Sequence, residues 1–181
     1  MPVIRESLAQ KLYKPGIGQE LWDFANGIYP ICRSISGNGV RETLGHIKEK
    51  IDLQIHEVPS GTQAFDWTIA PEWNIRDAWI KDPQGNKIID FKKHNLHVLN
   101  YSGPISGKFQ LADLKKHIFT MPDQPDLIPY RTSYYNINWG FCMSHDQLMS
   151  LPDGEYEAFI DSDHDPKGSL TYGEYFLQGE S

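Results

Sequence analysis

Five aromatic residues (Tyr130, Tyr134, Tyr135, Trp139 and Phe141) and one arginine, Arg131, fall within the run PYRTSYYNINWGFCM from Pro129 to Met143. That density is too high for an ordinary surface loop. Flat, amphipathic rings beside a guanidinium that can fork onto a carboxylate make a candidate substrate-binding group of Tyr130, Arg131, Tyr134, Tyr135 and Trp139. The same residues would serve equally well as core packing, because aromatics dominate interiors as readily as pockets.

A second candidate is the turn Ser36, Gly37, Asn38, Gly39, which opens a helix and is flanked by Arg33 and Arg41. Backbone N–H groups there, with the two guanidinium groups, could hold a carboxylate or phosphate. The competing expectation for Arg33, Gly37, Gly39 and Arg41 is a tight turn whose arginine pairs with a structural carboxylate. The run lacks the GxxxxGK[ST] pattern of a phosphate loop.

Other chemistry fits poorly. Asp161, Asp163 and Asp165 copy the start of a calcium loop, but Pro166 stands where glycine is needed and Tyr172 where a bidentate Glu belongs, so a solvated hairpin tip is expected. The seven histidines include no HExxH. His94 and His97, three apart in a predicted strand, would point to opposite faces. Glu42 and His46 share a helix face opposite Leu44 and Ile47, as a solvated pair would. No serine sits in GxSxG, and neither Cys32 nor Cys142 has the surroundings of a catalytic thiol or CxxC spacing, so both are expected to be free and buried. No catalytic residue or metal ligand is assigned within the chain.

Composition sets the wider limits. The 181 residues are 39% hydrophobic and 23% charged with a net charge of −7. This is globular composition, opposed to a phosphate-backbone partner, so no nucleic-acid role is expected. The N-terminal run has no apolar core of signal-peptide length, and no stretch of about 18 apolar residues occurs. A soluble, cytoplasmic protein without a membrane partner is the expectation.

The elements that must position these residues can be read from periodicity. Leu21, Phe24, Ala25 and Ile28 predict a helix over 19–31 ended near Pro30, and Val40, Leu44, Ile47 and Ile51 predict a second, with Asn38 as its N-cap. Residues 53–58 read as a strand. Next come a hairpin around residues 82–86, a strand over 95–100, and a short helix marked by Leu111, Leu114 and Ile118. A proline-rich crossing at Pro122, Pro125 and Pro129 leads to a strand over 139–143. Ser144 and Gln147 form a capping box for a helix over 145–151. Residues 155–161 and 169–178 read as two strands of a long hairpin joined by residues 162–168. The first sixty residues are thus α/β in character, and the rest is β-rich with two short helices.

Taken together, PICRSISGNGVRETL (30–44), HEVPSGTQAFDWTIAPEWNIRDAWI (56–80), NLHVLNYS (95–102), IPYRTSYY (128–135), WGFC (139–142) and GSLTYGEYFLQGES (168–181) resemble the bacterial aminopeptidase-like zinc proteins, relatives of the zinc-dependent exopeptidases. The resemblance implies a mixed α+β and α/β architecture. Residues 1–65 would be the opening helices and strand of a zinc-exopeptidase-like α/β domain, 66–174 an inserted small β-rich domain, and 175–181 the return into the peptidase-like sheet. It also implies that this chain is the N-terminal, truncated portion of a peptide or amide hydrolase. Zinc would belong to the full-length protein, with its ligands lying beyond Ser181. The implied partner is the remainder of that domain, in the same chain or a split one. The rival expectation is a non-catalytic binding or assembly module whose aromatic patch holds a peptide, a saccharide or a second copy.

Overall fold

The structure, a computed structural model, describes residues 15–133, 136 and 138–179. Residues up to Pro30 form one unit and residues 31 onward another. The first unit contains helix α1 (Ile17–Ile28), which starts after Gly16 in a left-handed turn and stops two residues before Pro30.

The second unit opens with helix α2 (Asn38–Lys48). Gly37, not Asn38, is the cap residue, and it makes no side-chain cap bond. Strand β1 (Gln54–Pro59) follows, then a small hairpin of β2 (Gln63–Ala64) and β3 (Trp67–Thr68). The centre is a four-stranded antiparallel sheet in the order β5–β4–β9–β6, made of β4 (Glu72–Lys81), β5 (Lys87–Asp90), β6 (Ile105–Gln110) and β9 (Glu155–Asp165). The β4–β5 connection is the predicted turn. Asp82 Oδ1 accepts the N–H groups of Gln84 and Asn86 at 2.9 and 2.8 Å, which fixes the reversal.

Alternation decides which face is buried. Along β9, Tyr156, Ala158, Ile160 and Ser162 are buried while Glu157, Phe159 and Asp161 are not. Ala78, Ile80 and Ile89 join them in a core closed by Val98, Leu111, Leu114, Ile118, Phe141 and Met143. The closing residues come from a short helix α3 (Leu111–Leu114), the parallel pair β7 (Ile118–Phe119) and β8 (Phe141–Cys142), and the loops beside them. Helix α4 (His145–Met149) begins with half of the predicted box: Gln147 N–H donates to Ser144 Oγ at 3.2 Å, while the Gln147 side chain donates to the Ile88 carbonyl at 2.9 Å.

Three predicted elements form differently. Residues 95–100 are not a strand: His94 Nδ1 accepts the Leu96 N–H at 3.2 Å and caps a single turn of 3₁₀ helix over Asn95–His97, so the two histidine rings meet edge-on at 5.8 Å. Ile118 leaves the helix to pair with Phe141. Residues 155–161 and 169–178 are not partners. Strand β9 runs on to Asp165 against the first half of β4, from Ser162 opposite Ile75 to Asp165 opposite Glu72. The chain then turns at Gly168, and β10 (Ser169–Glu174) pairs with β1 instead, Gln54 opposite Glu174 through Pro59 opposite Ser169. Asp161 and Asp163 therefore belong to a strand and not to a loop tip. The Arg76 side chain on β4 holds both.

Candidate functional site

The turn at residues 36–39 is built by close approach. Gly37 has φ +95°, and a Cβ there would stand 2.1 Å from the Trp73 carbonyl oxygen. A Cβ at Gly39 would stand 1.9 Å from that of Cys32. Only glycine allows the backbones to come so near. Two of the donors a free anion would use are already engaged. Asn38 N–H donates to Asn74 Oδ1 at 2.7 Å, and Arg33 Nη1 reaches Thr43 Oγ1 at 3.5 Å.

Arg41 is the most heavily committed of them. Its Nη1 and Nη2 donate to Glu72 Oε1 and Oε2 at 2.7 and 2.6 Å, and its Nε and Nη2 to Glu57 Oε1 and Oε2 at 2.8 and 3.1 Å. Glu72 also accepts the Ser169 N–H at 2.9 Å and Asn74 Nδ2 at 3.0 Å, while Glu57 accepts Thr171 Oγ1 at 3.0 Å. One guanidinium thereby ties α2, β1, β4 and β10 together. These bonds, the Arg41 bond first, hold the Glu72 carboxyl down to about 2 and keep Glu57 below its usual range, and the Arg41 pKa is raised in return. The anion-binding reading of Arg33, Gly37, Gly39 and Arg41 meets a structural clasp. The arginine and the glycines were visible in sequence, but the distant carboxylates that complete the clasp carried no local signal.

The aromatic run divides. Trp139 stacks on His117 with centroids 3.7 Å apart and planes 11° from parallel, and leans on Phe109 at 5.2 Å, against the core that contains Phe141. Tyr130 and Arg131 are exposed. Tyr134 and Tyr135 lie outside the described residues. The candidate binding group is therefore not brought together among the described residues: Trp139 packs inward while Tyr130 and Arg131 face solvent.

Burial pushes the Cys32 thiol up to about 11 and the Cys142 thiol up to about 12, so neither is a ready nucleophile at neutral pH. Among the described residues no three His, Cys, Asp or Glu side chains gather as metal ligands, so they do not fit the zinc that the resemblance implies. No described helix is long and apolar enough to cross a membrane.

The sheet's other face holds what sequence reasoning missed. Trp79 and Phe159, opposite one another on β4 and β9, stack at 5.2 Å, with the Lys81 ammonium 4.3 Å from the Trp79 ring centroid. The alternation of each strand was readable, but the register that makes the two rings neighbours was not.

This mixed α/β fold is shared with a peptidase-like structure. The solved structure described as "Crystal structure of putative peptidase" from Clostridium acetobutylicum superposes with a TM-score of 0.86 at 49% identity, over 90% of this chain and 38% of that one. Residues 72–163, just over half of the chain, match the family described as "Domain of unknown function (DUF2172)", and the chain belongs to that family. A Clostridium acetobutylicum protein named "Putative polysaccharide biosynthesis protein with aminopeptidase-like domain" is 50% identical over 163 residues, which are 90% of this chain and 37% of that protein. The chain thus spans less than two fifths of the length of the relatives it matches.

Proposed function

We propose that this chain is the N-terminal part of an aminopeptidase-like zinc hydrolase, in which a β-rich domain interrupts the opening of a peptidase-like α/β domain. The pairing of β1 with β10 carries this reading. The family-matched region 72–163 lies between two strands that are neighbours over six rungs, so the chain leaves and returns at one place, as an inserted domain must. On this reading α1, α2 and β1 open the host domain, the insertion starts near residue 66, and the return, expected from residue 175, is moved forward to β10 (Ser169–Glu174) because that strand pairs with β1. The names of the two relatives, one aminopeptidase-like and one a peptidase, support the assignment.

Zinc, when bound, supplies a Lewis acid and activates water for amide hydrolysis. Because the described residues hold no ligand cluster, its ligands are assigned to the part of the longer protein that this chain does not span. The inserted domain shapes access to that site, and Arg131, with Tyr134 and Tyr135, contacts substrate, Arg131 and Tyr130 being exposed among the described residues of the aromatic run. The test is release of p-nitroaniline from aminoacyl p-nitroanilides by the longer gene product. Activity that chelation removes and zinc restores supports the reading, and Arg131→Ala should lower kcat/KM. An unchanged kcat/KM in that variant removes the role given to Arg131.

A further inference from the structure

Trp79, Phe159 and Ser106 form one rung across β4, β9 and β6, on the face of the sheet turned away from the core. The first two are rings stacked on each other, and the third is a small exposed residue. Where the row of rings gives way to the serine, the surface dips into an open depression of about 330 Å³ lined by Pro104, Ile105, Ser106, Phe159, Ile160 and Asp161. Its size suits one ring of a ligand and not an extended segment.

The rim supplies the hydrogen-bonding groups. Asp161 is held by Arg76, whose Nε and Nη2 donate at 2.8 and 2.5 Å, and both contacts fall on Oδ1. Among the described residues no hydrogen bond reaches Asp161 Oδ2, which leaves it available to water or ligand. Arg76 also reaches Asp163, which fixes the guanidinium in place beside the depression. The site thus pairs an aromatic wall with a pre-oriented carboxylate and a hydroxyl.

We propose that this depression is a saccharide subsite, in which a pyranose lays an apolar C–H face on Phe159 while its hydroxyls bond Asp161 and Ser106. A sugar ring is apolar on its faces and hydroxylated at its edge, which matches this wall and this rim together. A phenylalanine side chain would fill the wall but carries no donor of its own for Asp161. A phosphate or other anion is opposed by Asp161 and Asp163, whose charge Arg76 only partly offsets. The proposal rests on this chain's own residues and is tested without reference to whether the longer protein cleaves amides.

The test is chemical-shift mapping on the chain with chitotetraose, maltotetraose and cellotetraose, each titrated to high millimolar concentration. The result expected is saturable shifts centred on the Ser106, Phe159 and Asp161 amides with at least one of the three. Those shifts should disappear in Ser106→Trp, which fills the depression from an exposed edge-strand position, and weaken several-fold in Asp161→Asn. The unchanged dispersion of core amides such as Ile80 and Ala158 checks that both variants are folded. No shift at these amides with any of the three sugars overturns the proposal. So does retention of the shifts in folded Ser106→Trp, or a tighter response at the same amides to N-acetylphenylalaninamide than to every sugar.

Discussion

Arg41 and Glu72 meet as a two-pronged pair, 2.7 and 2.6 Å apart, and they are not equally sheltered: the Glu72 side chain is 9% exposed and that of Arg41 32%. The asymmetry predicts which half of the pair matters more. Arg41→Met strands a buried carboxylate and should cost about 3 kcal/mol. Adding Glu72→Gln should recover part of that loss, because the stranded charge is gone. Urea denaturation of the two variants measures both, and an unchanged midpoint for Arg41→Met would show that the clasp contributes nothing.

Acid should open the same clasp. The folded-state pKa of Glu72, about 2, lies below its ordinary 4.5, so the proton binds the unfolded chain more readily. The stability it contributes is complete above about pH 4.5 and is lost as pH falls toward about 2. Glu57, also depressed by Arg41, adds in the same direction. Thermal unfolding against pH should therefore fall through this window in the parent chain and much less steeply in Glu72→Gln. Parallel curves for the two would refute the assignment.

Two glycines on or beside α2 should respond oppositely to alanine. Gly37 sits at φ +95° with the Trp73 carbonyl where a Cβ would go, and Gly37→Ala should cost about 2 kcal/mol or more. Gly45 lies inside the helix with nothing within 4 Å of a Cβ, and Gly45→Ala should stabilise by about 0.5–1 kcal/mol. Melting temperatures of the two variants give the comparison directly.

The aromatic run should separate in the same way. Trp139→Ala removes a ring stacked on His117 and packed against the core and should cost about 3 kcal/mol, whereas Tyr130→Ala should stay within about 0.5 kcal/mol. Equal losses at both positions would mean that Tyr130 too is part of the packing.

What could be read from the residues was local. The helical stripe at Val40, Leu44 and Ile47, the Asp82–Asn86 turn and the Ser144 N-cap each depend on neighbours within a few positions, and each formed. The partners of β9 and β10 depend on the whole chain. Alternation makes both strands, but nothing in residues 155–178 says that β9 must cover all of β4 or that β10 must cross to β1. His94 shows the reverse failure, since a side chain bonding its own backbone overrode a strand-like pattern. At the 36–39 turn the competing expectation, an arginine paired with a structural carboxylate, is what forms, but which carboxylates, Glu57 and Glu72, was as illegible as the partner of β10, and the Trp79–Phe159 pair exists only once the register is known.

The central claim is that this chain opens a peptidase-like hydrolase interrupted by an inserted domain. The measurement that reaches it most directly is hydrolysis of aminoacyl p-nitroanilides by the longer gene product, loaded with zinc and shown to be folded. The account predicts release of p-nitroaniline that a chelator abolishes and zinc restores. A folded, zinc-loaded protein that releases none from any aminoacyl substrate would contradict it and leave the family domain as a binding module.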